Sequence, residues 1–191
     1  MSAKILVVSG HTDLAHNSFA NKIILDRLNK ILPEAEYLYL DSEYPGWKFN
    51  VEREQDRLRN ADVIVMQFPF FWYGVPSLMH KWMEEVFVHG FSHGSKGKAL
   101  VGKKLLVSFT SGAPEELYQT GGVQGYPVDD FLIPLKQFAK ACSMEWAGYV
   151  YSGGLSYASR HDEEKLAQMK QKAELHADRV AEKVRTLCPQ K

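Results

Sequence analysis

VIVMQFPFFWYGVPSLMHKWMEEVF, residues 63–87, decides how the rest of the chain is read. Val63 to Gln67 is a continuous apolar run rich in β-branched residues, the pattern of a strand covered on both faces. Pro69 cannot donate to a ladder and so predicts the strand's end. Pro76 and Ser77 predict the start of a helix running to Val88, with proline in the first turn and serine as the cap. Between them stand Phe70, Phe71, Trp72 and Tyr73, followed by Gly74. A loop that only reversed the chain would favour Gly, Asn, Asp and Ser. Four rings in a row suit a planar aromatic ligand instead, at the kind of strand-to-helix junction where open α/β sheets bind. One ring, Phe71, is expected to fill core.

Outward from this segment, strand-like runs recur at Ile5–Ser9, Tyr37–Leu40, Leu105–Phe109 and Ala147–Tyr151, each separated by a helical pattern. Such alternation predicts a parallel sheet with helices on both faces, ordered 2-1-3-4-5. The first helix is expected over Ser18–Leu32, with Phe19, Ile23, Leu28 and Ile31 as its apolar face. The second covers Val51–Ala61, capped by Asn50 and turning Glu52, Arg53, Glu54 and Arg57 to water. A fourth spans Val128–Cys142. The last spans Asp162–Leu187, where Leu166, Met169, Ala173, Ala177, Val180 and Val184 recur at helical spacing and acidic residues fill the first turn. Glycine-rich loops fall at 90–102 and 112–125.

With 191 residues and 45% hydrophobic composition, one domain over residues 1–191 is expected. Lys plus Arg and Asp plus Glu are 23 each, so no global field gathers nucleic acid or an anionic membrane. Met1 to Ser9 is too short an apolar stretch for a signal sequence, and no run reaches membrane-spanning length. Cys142 and Cys188 are far apart, with no CxxC, which suits a reducing compartment. A cytoplasmic protein follows.

Two further segments carry candidate chemistry. After the first strand the chain reads SGHTDLAHNSFAN, where amide hydrogens and the dipole of the next helix can collect a phosphate. It contains neither GxGxxG nor GxxxxGK[ST], so neither dinucleotide fingerprint nor triphosphatase loop is supported. His11, Asn17 and Ser18 are the candidate donors; Ser18 is equally a helix cap and His11 a plain loop residue. The fourth strand ends in Thr110, Ser111 and Gly112, small residues that let backbone amides approach a ligand. In a 2-1-3-4-5 sheet strands 1, 3 and 4 are neighbours, so the three loops meet at one crevice.

Together GHTDLAHNSFAN, QFPFFWYGVPSLMHKWMEEVF with the following HGF, and FTSGAPEELY resemble the flavodoxin-like NAD(P)H quinone oxidoreductases. The likeness is greatest to the bacterial branch that includes the ancillary subunit of the glutathione-gated potassium efflux system. It implies a flavodoxin-like three-layer fold and a flavin, FMN first and FAD next. By that resemblance His11, Asn17, Ser18, Phe19, Ala20 and Asn21 would hold the flavin phosphate. Pro69, Phe70, Phe71, Trp72 and Tyr73 would wrap one edge of the ring, and Thr110, Ser111, Gly112 and Ala113 the other. Tyr118 would face the substrate. Mammalian relatives pair that tyrosine with a histidine, whereas none occurs here between Tyr118 and His161, which leaves Tyr126 or solvent as the proton path. The implied reaction is ping-pong hydride transfer from NAD(P)H through flavin to a quinone or similar small acceptor.

Rival readings are a regulatory flavoprotein subunit of a potassium efflux transporter and a flavodoxin-type electron carrier. Carriers usually present an acidic surface, which a neutral chain does not provide. A phosphorylated receiver would need an aspartate where the third strand ends in Gln67. His89 and His93 stand four apart but are interrupted by glycines, so no metal is expected, and His176 reads as a satisfied core histidine. Cys142 reads as core filling at a helix end. The aromatic loop exposes enough apolar surface to predict a homodimer, with Phe70 or Phe71 reaching the partner's site.

Overall fold

The computed structural model describes residues 3–188, with Arg160 as backbone only. The single-domain expectation also takes in residues 1–2 and 189–191, which lie outside the described ones. Five strands, β1 (Ile5–Ser9), β2 (Glu36–Tyr39), β3 (Val63–Pro69), β4 (Lys104–Thr110) and β5 (Glu145–Ser152), form a parallel sheet in the order β2-β1-β3-β4-β5. Side chains alternate across it. Val7, Val63, Val65, Leu106 and Val150 turn to the layer of α2 (Ala20–Ile31) and α8 (Glu163–Leu187). Leu6, Val8, Ile64, Met66, Leu105 and Val107 turn to the opposite layer, which holds α4 (Val51–Asn60), α5 (Ser77–Val86) and α7 (Ile133–Ala141). Both faces are covered, which is why the central strands read as unbroken apolar runs.

The strands end within two residues of their expected bounds, and the departures have physical causes. Pro69 does not stop the ladder: it pairs with Thr110 at the end of β3. The Phe70 amide donates to Thr110 O at 2.7 Å, so the nitrogen of Pro69 faces the β1 side, where β1 has already ended at Ser9 and no hydrogen bond is lost. Ser77 is not the cap of α5. Pro76 takes the cap position, and Ser77 is the first helical residue. The expected first helix begins two residues late, after an unforeseen single turn, α1 (Leu14–Asn17), whose cap is Asp13. In α2 it is Ile24, Leu25 and Leu28 that are buried, together with Asn21, while Ile23 and Ile31 are only partly covered. A second short turn, α3 (Leu40–Glu43), follows β2.

The expected 128–142 helix is divided into α6 (Val128–Phe131) and α7, because Pro134 sits in the first turn of α7, where its missing N–H costs nothing. Asn50 does cap α4, its Oδ1 accepting from Arg53 N at 3.1 Å. Glu54, expected to face water, is fully buried. Its carboxylate accepts from Tyr44 Oη (2.7 Å), Trp82 Nε1 (3.3 Å) and Arg57 Nη1 (2.8 Å), and Arg57 also pairs with Glu36 and Glu43. A buried carboxylate is tolerable only when its oxygens are partnered in this way. Cys142 is buried at the end of α7, and His176 is buried on α8 with both ring nitrogens hydrogen-bonded.

Candidate functional site

At the carboxyl ends of β1, β3 and β4 a cleft of about 220 Å³ opens. From the β1 side it is lined by His11, Asn17, Ser18, Phe19, Ala20 and Asn21. From β3 come Pro69, Phe70 and Phe71, and from β4 Thr110, Ser111 and Gly112. Larger hollows exist, but they are surface grooves lined by charged side chains, such as the one bounded by Arg53, Asp56 and Arg57 and the one bounded by Glu115, Arg179 and Glu182.

The phosphate-side wall is a helix start without a side-chain cap. Phe19 holds the cap position of α2, and Ser18 Oγ accepts only from Lys22 N, a turn further in, at 3.2 Å. The first amides of α2 therefore remain as donors at the positive end of the helix dipole. His11 adds another. Its Nδ1 accepts from Asp13 N at 3.0 Å, which leaves the proton of the neutral ring on Nε2. Burial pulls His11 below the usual histidine pKa, against the opposing fields of Asp41 and Asp13, so the ring is a neutral donor near pH 7. Asn17 is partly committed, its Nδ2 donating to Asp13 Oδ2. Among the described residues no lysine or arginine lines the cleft. The donor set of helix amides, imidazole N–H and hydroxyls fits a phosphate bound through hydrogen bonds.

Each ring of the aromatic loop has its own post. Phe70, not Phe71, is the core plug: it is packed on Phe109 (5.2 Å), Tyr118 (6.3 Å) and Phe131 (5.7 Å). Phe71 is 42% exposed and meets His11 edge-on at 5.7 Å. The hydrogen bond from Gly74 N to Phe71 O closes a tight turn with Trp72 at φ 49° and Tyr73 at φ 66°. Two successive positive φ values are the signature of a type I′ turn, normally filled by Asn and Gly. Trp72 is 95% exposed. Tyr73 stacks on Phe131, and its hydroxyl donates to Gln124 Oε1 at 3.0 Å.

Trp72, Tyr73, Ala113 and Tyr118 stand outside the cleft lining. Tyr118 lies behind Phe70 against Tyr151, next to Ser111, and burial raises its pKa, keeping the phenol protonated. Tyr126 is exposed and touches Phe131. Ser111 Oγ is held between Ala113 O (2.7 Å) and Tyr151 Oη (2.6 Å). Two lining residues, Leu155 and Tyr157, were not anticipated. They follow β5, and the signal was available: the loop after a fourth neighbouring strand reaches the same edge of the sheet. His89 and His93 meet edge to face at 5.7 Å, and no cluster of three or more metal-type side chains occurs among the described residues.

A parallel sheet of this order, with its binding cleft at the carboxyl edge and a phosphate-type helix start, defines a doubly wound α/β ligand-binding protein. The chain belongs to the family described as having a flavodoxin-like fold, whose model matches residues 3–177. It is 36% identical over 143 residues to the glutathione-regulated potassium-efflux system ancillary protein KefG of Serratia proteamaculans, covering 75% of this chain and 77% of that protein. A solved structure described as a thermophilic tryptophan halogenase from Streptomycin violaceusniger is 31% identical, with a TM-score of 0.78 over 90% of this chain and 96% of that one. General stress protein 14 of Treponema denticola, solved in complex with FMN, is 26% identical, with a TM-score of 0.75 over 91% and 99%. An NADPH-quinone reductase from P. pentosaceus, at 24% identity and a TM-score of 0.71, shows the fold alone. No helix among the described residues is long and apolar enough to cross a membrane.

Proposed function

We propose that the protein is a cytoplasmic, FMN-dependent NAD(P)H:quinone oxidoreductase. One observation carries the reading: the uncapped start of α2 and the first two rings of the aromatic loop, Phe70 and the partly exposed Phe71, meet at a single cleft. The FMN reported for the Treponema relative supports the choice of cofactor. A cleft of about 220 Å³ is small for a whole cofactor, which favours FMN over FAD: the phosphate and polyol enter, and the ring rests on the rim. His11, Asn17, Ser18 and the amides of Phe19, Ala20 and Asn21 take the phosphate. Pro69 and Phe70 form the floor beneath Phe71, while Trp72 and Tyr73 flank the ring; Thr110, Ser111, Gly112 and Ala113 supply small groups and hydrogen bonds at its other edge.

FMN, when bound, supplies two-electron chemistry, with NAD(P)H as donor and a quinone as acceptor at one face in turn. Tyr118 keeps its proton and offers a hydrogen bond on the substrate side. Because no histidine follows it closely, protons reach the acceptor from Tyr126 or solvent. Purified protein should be yellow, release FMN on heating, and oxidise NAD(P)H with parallel double-reciprocal lines when a quinone is varied. Colourless protein that takes up no flavin, or intersecting lines, would overturn the reading.

Phe71, Trp72, Tyr73, Val123 and Tyr126 expose neighbouring apolar surface, which favours a homodimer; a monomer in analytical ultracentrifugation at micromolar concentration would remove it. The identity to KefG favours a second reading, a regulatory subunit of a potassium efflux transporter. Potassium efflux that rises on co-expression with such a transporter would support that role, and it is compatible with reductase activity.

A further inference from the structure

On the α2/α8 side of the sheet the inward residues change character toward the carboxyl ends. Val63 and Val65 are followed by Gln67, Leu106 by Ser108 and Thr110, and Val150 by Ser152. All four polar replacements and His176 are buried. Such a layer costs stability unless every group is satisfied, and here the groups form one continuous chain. Arg179 Nη2 donates to Ser152 Oγ (2.7 Å), and Ser152 Oγ lies 2.9 Å from His176 Nδ1. His176 Nε2 lies 2.8 Å from Ser108 Oγ, which donates to Gln67 Oε1 at 2.5 Å. Gln67 Nε2 donates to Asn21 Oδ1 (2.8 Å), and Asn21 Nδ2 donates to Thr110 Oγ1 (3.0 Å). Asn21 and Thr110 line the cleft.

The chain has a direction. Ser108 spends its one proton on Gln67 Oε1, so it can only accept from His176, whose proton therefore sits on Nε2; Nδ1 is then an acceptor, and Ser152, which accepts from Arg179, donates to it. Each amide passes the polarity on. Burial and the Arg179 charge push His176 down to about 3, so one tautomer of a neutral ring suffices at working pH. At the far end Thr110 Oγ1 has accepted from Asn21, and no acceptor for its hydroxyl proton occurs among the described residues.

We propose that Ser152, His176, Ser108 and Gln67 are positioning residues that turn Asn21 and hold the Thr110 hydroxyl as a hydrogen-bond donor to an acceptor oxygen or nitrogen of the bound FMN. The proposal rests on the FMN reading above.

The test is a double-mutant cycle read as FMN affinity by fluorescence titration of the apoprotein, with the melting temperature of each apoprotein measured alongside. Ser152→Ala and Arg179→Met, both outside the cleft lining, should each weaken FMN binding, Ser152→Ala by about tenfold. In a Thr110→Val background the same changes should cost less than about threefold, because the donor they orient is gone. Thr110→Ser, which keeps the hydroxyl, should restore the coupling. Unchanged affinity in both variants, or an equal loss with and without the Thr110 hydroxyl, would overturn the relay while leaving the flavin reading intact. Wild-type apoprotein that takes up no FMN would overturn both.

Discussion

Trp72 and Tyr73 occupy a backbone region that costs a bulky side chain about 1 kcal/mol each relative to the right-handed one. Asparagine tolerates that region, so Trp72→Asn should raise stability by about 1 kcal/mol in urea titration while weakening FMN binding; a destabilised variant would show that the turn is not strained. Glu54 is the opposite case, a charge made tolerable by its neighbours. Arg57→Met leaves the buried carboxylate with only Tyr44 and Trp82, and should cost about 3 kcal/mol, the low end for breaking a buried pair. His176 sets a pH dependence. Its folded pKa of about 3 lies below the unfolded value near 6.5, so the unfolded chain binds more protons between these limits and stability falls as pH falls. From pH 7 to pH 5 the loss from this group is about 2 kcal/mol. His11, lowered by burial too, adds in the same direction. A His176→Gln variant should show an acid decline shallower by that amount.

At the scale of elements, the close approach of β1 to α5 is written in one glycine. A Cβ at Gly10 would come within 2.6 Å of the Met79 side chain, including 2.8 Å from its Cβ, so Gly10→Ala must push α5 from the sheet. The expected cost is about 2 kcal/mol by denaturant unfolding, with weaker FMN binding because α5 follows directly on the aromatic turn. The long elements were legible because periodicity reports burial: the strands fell within two residues of their expected ends, and α8 buries five of the apolar residues its spacing singled out, from Met169 to Val184. The single turns α1 and α3 left no periodic trace in four residues each. Glu54 and Pro69 were misread for one shared reason. Their placement depends on partners far away in sequence, Trp82 for the one and the earlier end of β1 for the other, and residue type alone does not contain that information.

For the molecule as a whole, topology places the candidate cleft. Once the strand order brings β1, β3 and β4 side by side, residues from Gly10 onward, Pro69 onward and Thr110 onward have one crevice to share. The division of labour within the aromatic loop was not legible, since four adjacent rings look equivalent in a sequence and only packing on Phe109 and Phe131 separates Phe70 from Phe71. The same separation distinguishes the indoles. Trp82 is sealed in the core, Trp47 and Trp146 are partly covered, and Trp72 stands almost wholly in water. The chain thus carries its own optical gauge: acrylamide should quench a red-shifted emission component from Trp72 selectively, and anything that settles on the turn, small molecule or second subunit, should shield it.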